Sequence, residues 1–297
     1  MASAQDFESS TSDSAVGYID NAVIRNRFRF RFDHYSNTRN PDRAEYMFAL
    51  PIAVNGRATQ AIGPLDWQAY RAYTEIAFGP RFSLFGDFGI RDVDNAFAFD
   101  PIAQRSDTDQ AGAADTFVGL RYGIIADQYE QLTAQLKVGV PTGDPRRCLG
   151  TGHTSIEAGL LYNLQRTDRL AIFGELKDWV SINAYGAGVP NENSSNVLSY
   201  GFGCGYDLLQ PSKCCPSPRL TAVFEVLGWT VIEGLRSTGI PATVGVLVDA
   251  NGETIVNAKY GLRYWQGKHS VYGGYGHSMT GSVWYEDVLR VEYTRNF

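Results

Sequence analysis

Long apolar runs are missing from this chain: none of its 297 residues sit in a stretch approaching the ~18 residues that a membrane-spanning helix needs. That excludes a helical membrane protein and leaves open both a soluble β protein and a barrel, whose strands carry only a weak hydropathy signal. Basic charge is also short. The 26 Lys and Arg against 32 Asp and Glu give a formal charge of −6, which argues against a nucleic-acid partner. The four cysteines, Cys148, Cys204, Cys214 and Cys215, are too few for a disulfide scaffold. The adjacent pair 214–215 lacks the spacing of a zinc site, and a single bridge from Cys204 to Cys214 or Cys215 stays open. No HExxH spacing and no phosphate-binding Gly-rich loop occurs, so the sequence calls for no metal and no cofactor. Met1–Ser14 has neither a basic start nor an apolar core. It is not a secretory signal, and the expectation is that one has already been removed. Met1–Ser14 read as a disordered terminus within a polar N-terminal tail over residues 1–21, with one structural unit over 22–297.

Aromatics and glycine are plentiful, with 17 Tyr, 16 Phe and 31 Gly, a balance that suits a many-stranded sheet. Gln131–Asp144 shows how they are used. Leu132, Ala134, Leu136, Val138 and Val140 take one parity, while Gln131, Thr133, Gln135, Lys137 and Gly139 take the other. Side chains alternate faces along a strand, so this segment has one apolar and one polar face over about the ~9–11 residues a tilted strand needs to cross a bilayer. Pro141, Gly143 and Asp144 end it. Around Phe28, Phe30 and Phe32 the pattern recurs with Arg27, Arg29 and Arg31 opposite, and it returns along the rest of the chain.

About twelve strands follow from this alternation. Their connections alternate as well: tight turns near 79, 127, 167, 213 and 267, and longer loops between, the longest at 35–66, where partial insertion into the lumen stays open. Short turns at one end and long loops at the other are the mark of an antiparallel transmembrane β-barrel with short periplasmic turns and longer external loops. An even strand count permits closure, which leaves no sheet edge. The predicted fold class is therefore all-β.

The final strand, DVLRVEYTRNF, ends on Phe297 with an aromatic alternation that resembles the insertion signal of bacterial outer-membrane barrels. More narrowly, RFSLFGDFGIRDV at 81–93, DTFVGLRYGI at 115–124, LTAQLKVGVPTGD at 132–144, GTGHTSIEAGLLYNL at 150–164 and EVLGWTV at 225–231 resemble the outer-membrane transporter family labelled "MetA-pathway of phenol degradation". The resemblance covers roughly residues 80–297. It implies an outer-membrane channel or transporter for small solutes, with a hydrophobic or aromatic solute in view. Its partners would be the lipid bilayer, that solute, and the barrel-insertion machinery acting on the strand that ends at Phe297.

The parity opposite the apolar one collects Arg27, Arg29, Arg31, Arg71, Glu75, Asp87, Arg121, Lys137, Glu157, Glu175, Lys177, Glu225, Lys259, Arg263, Arg290 and Glu292. Inside a narrow barrel such charges pair, since a bare buried charge is costly. They form either a structural network that fills the interior or a charged constriction that selects solutes. His153, Ser155 and Glu157 share that face and raise a lipid-hydrolase alternative, but strand neighbours two apart stand ~6–7 Å apart, so the chain is read as a non-enzyme. A plugged structural or surface-interaction barrel is the other alternative. Thr142–Asp144 with Gly150 and Gly152 read as a tight external turn, ahead of an inward latch. Tyr18, Trp67, Tyr70, Trp179, Trp229, Trp265, Trp284 and Tyr285 fall near strand ends, where aromatic girdles sit.

Overall fold

A computed structural model describes residues 15–38, 65–94, 109–144, 147, 149–182, 196–210, 218–234, 249–281 and 285–297, with the backbone of a few two- and three-residue ribbons between them. Twelve long strands make the wall: β1 (Arg27–Thr38), β2 (Leu65–Ala77), β3 (Phe82–Asp94), β4 (Thr116–Ala126), β5 (Glu130–Val140), β6 (Thr154–Gln165), β7 (Leu170–Ile182), β8 (Asn196–Leu209), β9 (Arg219–Glu233), β10 (Thr254–Gln266), β11 (His269–Ser278) and β12 (Asp287–Asn296). Each pairs antiparallel with its sequence neighbours, and β1 pairs with both β2 and β12, which closes the barrel. A short extra strand, Gln110–Ala113, extends the sheet along the far end of β3. No described helix is long and apolar enough to cross a membrane, so the strands alone make the wall.

The period-two pattern dictates the faces. Leu136 is 40% and Tyr260 56% exposed, together with Phe30, Leu120, Ile156, Leu176, Phe202, Phe224 and Val291, so large apolar side chains cover the outside. A continuous outer apolar surface of this kind is unstable in water and matched to lipid. The charged parity faces inward: Glu225 is 0% and Lys259 3% exposed. This is the architecture of a transmembrane β-barrel.

Strand ends shift in places. The alternation predicts the first strand over Ala22–His34, whereas β1 begins at Arg27, because 22–26 are held by contacts to the wall described below. The extended piece expected at Glu45–Leu50 and most of the loop expected at 35–66 lie outside the described residues. Residues 35–38 and 65–66 of that loop belong to β1 and β2. Of the cysteines, Cys204 alone is described, and it is a free thiol.

The girdle expected from the aromatics is corrected. Trp67, Trp179, Trp265 and Tyr285 are buried, and Tyr18 and Trp229 pack with the buried clusters; of those described, only Tyr70 lies exposed on the outside. Parity explains this. Trp67 shares a face with Arg71, Trp179 with Lys177, Trp229 with Glu225 and Trp265 with Arg263, so height near a rim does not turn these rings outward. Trp284 lies outside the described residues.

Candidate functional site in the barrel lumen

The polar tail read over residues 1–21 does not describe residues 15–21. Residues 15–26 enter the lumen from the short-turn end, rise to about mid-height near Tyr18 and Asp20, and return to the rim. The outgoing half lies on β8–β12. Glu225 on β9 accepts the N–H groups of Gly17 at 2.8 Å, Tyr18 at 2.7 Å and Ile19 at 3.3 Å. Arg263 donates to the Val16 carbonyl at 2.6 Å and Arg290 to that of Gly17 at 2.9 Å. Tyr18 lies under two cations, the Arg290 guanidinium 4.0 Å and the Lys259 ammonium 4.1 Å from its ring centre. Ala15, Val16 and Ile19 join Phe173, Val223, Leu227 and Tyr272 in an apolar cluster.

The returning half lies on β4, β5 and β7. Asp20 donates its N–H to Glu175 at 2.8 Å, and its carboxylate meets Lys177 at 3.2 Å. Arg121 donates to the Asn21 carbonyl at 3.0 Å, Thr133 to that of Ala22 at 2.6 Å, and Arg27 to that of Val23. Asn26 accepts the Ala77 N–H at 2.8 Å at the rim. Without a ladder of its own, the segment's backbone needs partners from the wall, and the charged parity supplies them.

Small residues make the room. Along the middle of β8 the inner face is Ser199, Gly201, Gly203 and Gly205; a Cβ on Gly205 would stand 2.4 Å from that of Ala15. A Cβ on Gly17 itself would stand 2.3 Å from the Tyr272 hydroxyl. The segment and the wall therefore meet at backbone distance.

Every charged side chain singled out in the sequence lies on the inner face. Glu75 pairs with Arg27 at 3.1 Å and Arg121 at 3.3 Å; Asp33 with Arg31 at 2.9 Å and Arg290 at 2.6 Å; Glu292 with Arg29 at 3.7 Å and Arg263 at 2.9 Å. Arg71 meets Asp87 at 2.9 Å, Lys137 meets Glu157 at 2.7 Å, and Lys177 meets Glu175 at 3.0 Å. Asp33 on β1 and Asp207 on β8, which pairs with Arg219 at 3.1 Å, share the network without having been singled out, although their parity with Arg31 and Gly205 marks them.

At the long-loop end, the described residues 141–144 and 149–152 fold inward onto Asp115. This carboxylate accepts the N–H of Gly143 at 3.0 Å and both the N–H and hydroxyl of Thr151 at 2.7 Å. Leu149 is thereby buried against Leu65, Trp67, Ala69 and Val93. The latch, the lesser of the two sequence readings, is the one the structure takes. His153, Ser155 and Glu157 are buried on the inner face of β6, but Glu157 turns to Lys137 and the His153 ring packs edge-on against Trp179.

Between the segment and the β1–β5 wall remains a cavity of about 250 Å³, running from Tyr18, Asp20 and Arg121 at mid-height to Tyr35, Trp67 and Arg91 toward the long loops.

No protein-family model matches the chain, and no curated protein matches it. The resemblance to the phenol-degradation transporter family thus gains no family match. Solved structures are similar in fold. The COG4313 outer membrane channel from Pseudomonas putida F1 is 12% identical with a TM-score of 0.58, over 96% of this chain and 100% of that one. The NanC porin is 9% identical at 0.51, over 91% and 100%. The β domain of the Bordetella autotransporter BrkA is 11% identical at 0.51, over 92% and 100%. At such identities the likeness is one of fold: a closed antiparallel barrel of the outer-membrane kind.

Proposed function

We propose that this chain is a non-enzymatic outer-membrane channel for small solutes, in which residues 15–26 narrow the lumen and the inner charges set selectivity. The carrying observation is the cavity beside the segment. It is walled by ionised side chains and continues from mid-height toward the long loops. A barrel built only as a scaffold has no need of a charged void, since a lumen filled by packed side chains costs less desolvation. Charged walls around a narrow path are how channels discriminate ions and solutes. Two of the barrels similar in fold, the COG4313 outer membrane channel and the NanC porin, are a channel and a porin, which is consistent with this reading.

A second reading has its own support: the segment binds walls on both sides of the lumen, from Glu225 to Glu175, as a permanent plug would. Purified protein in a planar bilayer separates the two. Steady ion-conducting steps, with a reversal potential displaced from zero in a salt gradient, support the channel; silence from a correctly folded barrel supports the plug.

A further inference from the structure

Arg31 on β1 and Arg71 on β2 occupy directly opposed register positions on the lumenal face. Like charges placed opposite one another on paired strands repel. Their acids lie on either side: Asp33 takes Arg31 at 2.9 Å, and Asp87 takes Arg71 at 2.9 Å. Asp33 is shared, since Arg290 binds it at 2.6 Å. Sharing is general here. Six guanidiniums, those of Arg27 and Arg121, Arg31 and Arg290, and Arg29 and Arg263, are served by three carboxylates. Seven Arg and Lys side chains line the cavity beside three carboxylates, Asp20, Asp33 and Asp87. Glu292, Glu75, Glu157 and Glu175, outside that lining, pair with Arg29, Arg121, Lys137 and Lys177. The local shortage of acid therefore lies at Asp33, which serves both Arg31 and Arg290.

Its other wall is flat and aromatic. Arg71 lies 5.0 Å from the Phe117 ring centre, Arg29 4.5 Å from that of Tyr73 and Arg91 4.7 Å from that of Trp67, while Tyr35 stacks on Trp67 at 3.9 Å. Arg71 gives its Nε–H to the Asp87 carboxylate at 2.9 Å and its Nη2 to the Asp87 and Asp115 carbonyls at 3.3 and 3.2 Å, so a ligand carboxylate reaches this guanidinium by competing with Asp87 for it.

We infer that this cavity is a binding site for a small organic carboxylate with a flat apolar body, its carboxylate between Arg31 and Arg71 and its body among the rings. The inference rests on the reading of the upper lumen as open to solutes, but its test does not require conduction. Benzoate binding to the detergent-solubilised full chain is measured by titration calorimetry, beside benzyl alcohol, benzylammonium and acetate. Benzoate is expected to bind saturably and at least about tenfold more tightly than the other three, a difference of ~1.4 kcal/mol. Asp87→Asn, which deletes one competing acid, should tighten benzoate binding by about fivefold. Arg71→Gln should weaken it by about tenfold, and Arg71→Lys, which keeps the charge without the fork, by less. If Arg71→Gln fails to fold, the opposite-signed effect of Asp87→Asn carries the test. No benzoate binding, equal binding of benzyl alcohol or acetate, or affinities unmoved by either substitution would overturn the site. A chain that binds benzoate but conducts nothing would leave the site standing and remove the channel.

Discussion

The backbone N–H of Gly17 donates to Glu225 Oε1 at 2.8 Å, joining residues 208 positions apart in sequence across the lumen wall. Tyr18 and Ile19 add their N–H groups to the same carboxylate. A hydrogen bond to a charged group contributes about 1.5–3 kcal/mol, so this one side chain holds much of the outgoing half of the segment.

Glu225→Ala should therefore free that half while leaving the outer face untouched. Heat-modifiability of the barrel should persist, and mean single-channel conductance should rise. Gly17→Val should act alike by a different route, because its Cβ has no place beside the Tyr272 hydroxyl. Conductance unchanged in both variants would mean the segment is not what limits flow.

The register makes a second prediction. Leu136 and Tyr260 point to lipid, while Lys137, Glu157 and Lys259 point inward. Cysteines introduced at 136 and 260 should react with lipid-soluble probes and not water-soluble ones. Leu136→Arg should cost about 2–4 kcal/mol of barrel stability, the value for a basic residue near the bilayer midplane.

Lys137 and Glu157 face each other directly across β5 and β6, 2.7 Å apart. Glu157→Gln leaves Lys137 without that carboxylate. In an open path the reversal potential should move toward anion selectivity, and the shift should shrink at high salt, where charges are screened. In a filler network the melting temperature should fall instead while the reversal potential stays. Both unchanged would remove Glu157 from either role.

Phe297 is exposed, and its N–H bonds to the Asn26 carbonyl at 3.1 Å, beside the β12–β1 seam that closes the barrel. Its deletion should lower the yield of heat-modifiable barrel in the membrane without lowering synthesis. An unchanged yield would count against an insertion role for this residue.

The wall was readable residue by residue because strand geometry has a period of two and the sequence keeps it. Arg27, Arg29 and Arg31 against Phe28, Phe30 and Phe32 need no tertiary information to be placed. The same rule turns Trp67, Trp179, Trp229 and Trp265 inward; a girdle follows only if height in the membrane is weighed above parity. The lumenal segment was not readable. AVGYIDNAVI at 15–24 has no alternation, and its partners, Glu225, Arg263, Arg290, Glu175 and Arg121, are 97 or more residues away along the chain. One signal did point to it: the middle of the inner face of β8, Ser199, Gly201, Gly203 and Gly205, is an unfilled stretch of wall, and an unfilled wall implies something lying on it. Asp115 was equally hidden, because a carboxylate that caps a loop three strand-lengths of sequence away looks like any acidic residue before a strand.

Single-channel recording in a planar bilayer, comparing the intact chain with one that begins at Arg25, tests the central claim most directly. The account predicts small, steady steps from the intact barrel and several-fold larger steps once residues 15–24 no longer cross the lumen. Equal conductance from the two, or silence from both in folded barrels, would contradict it.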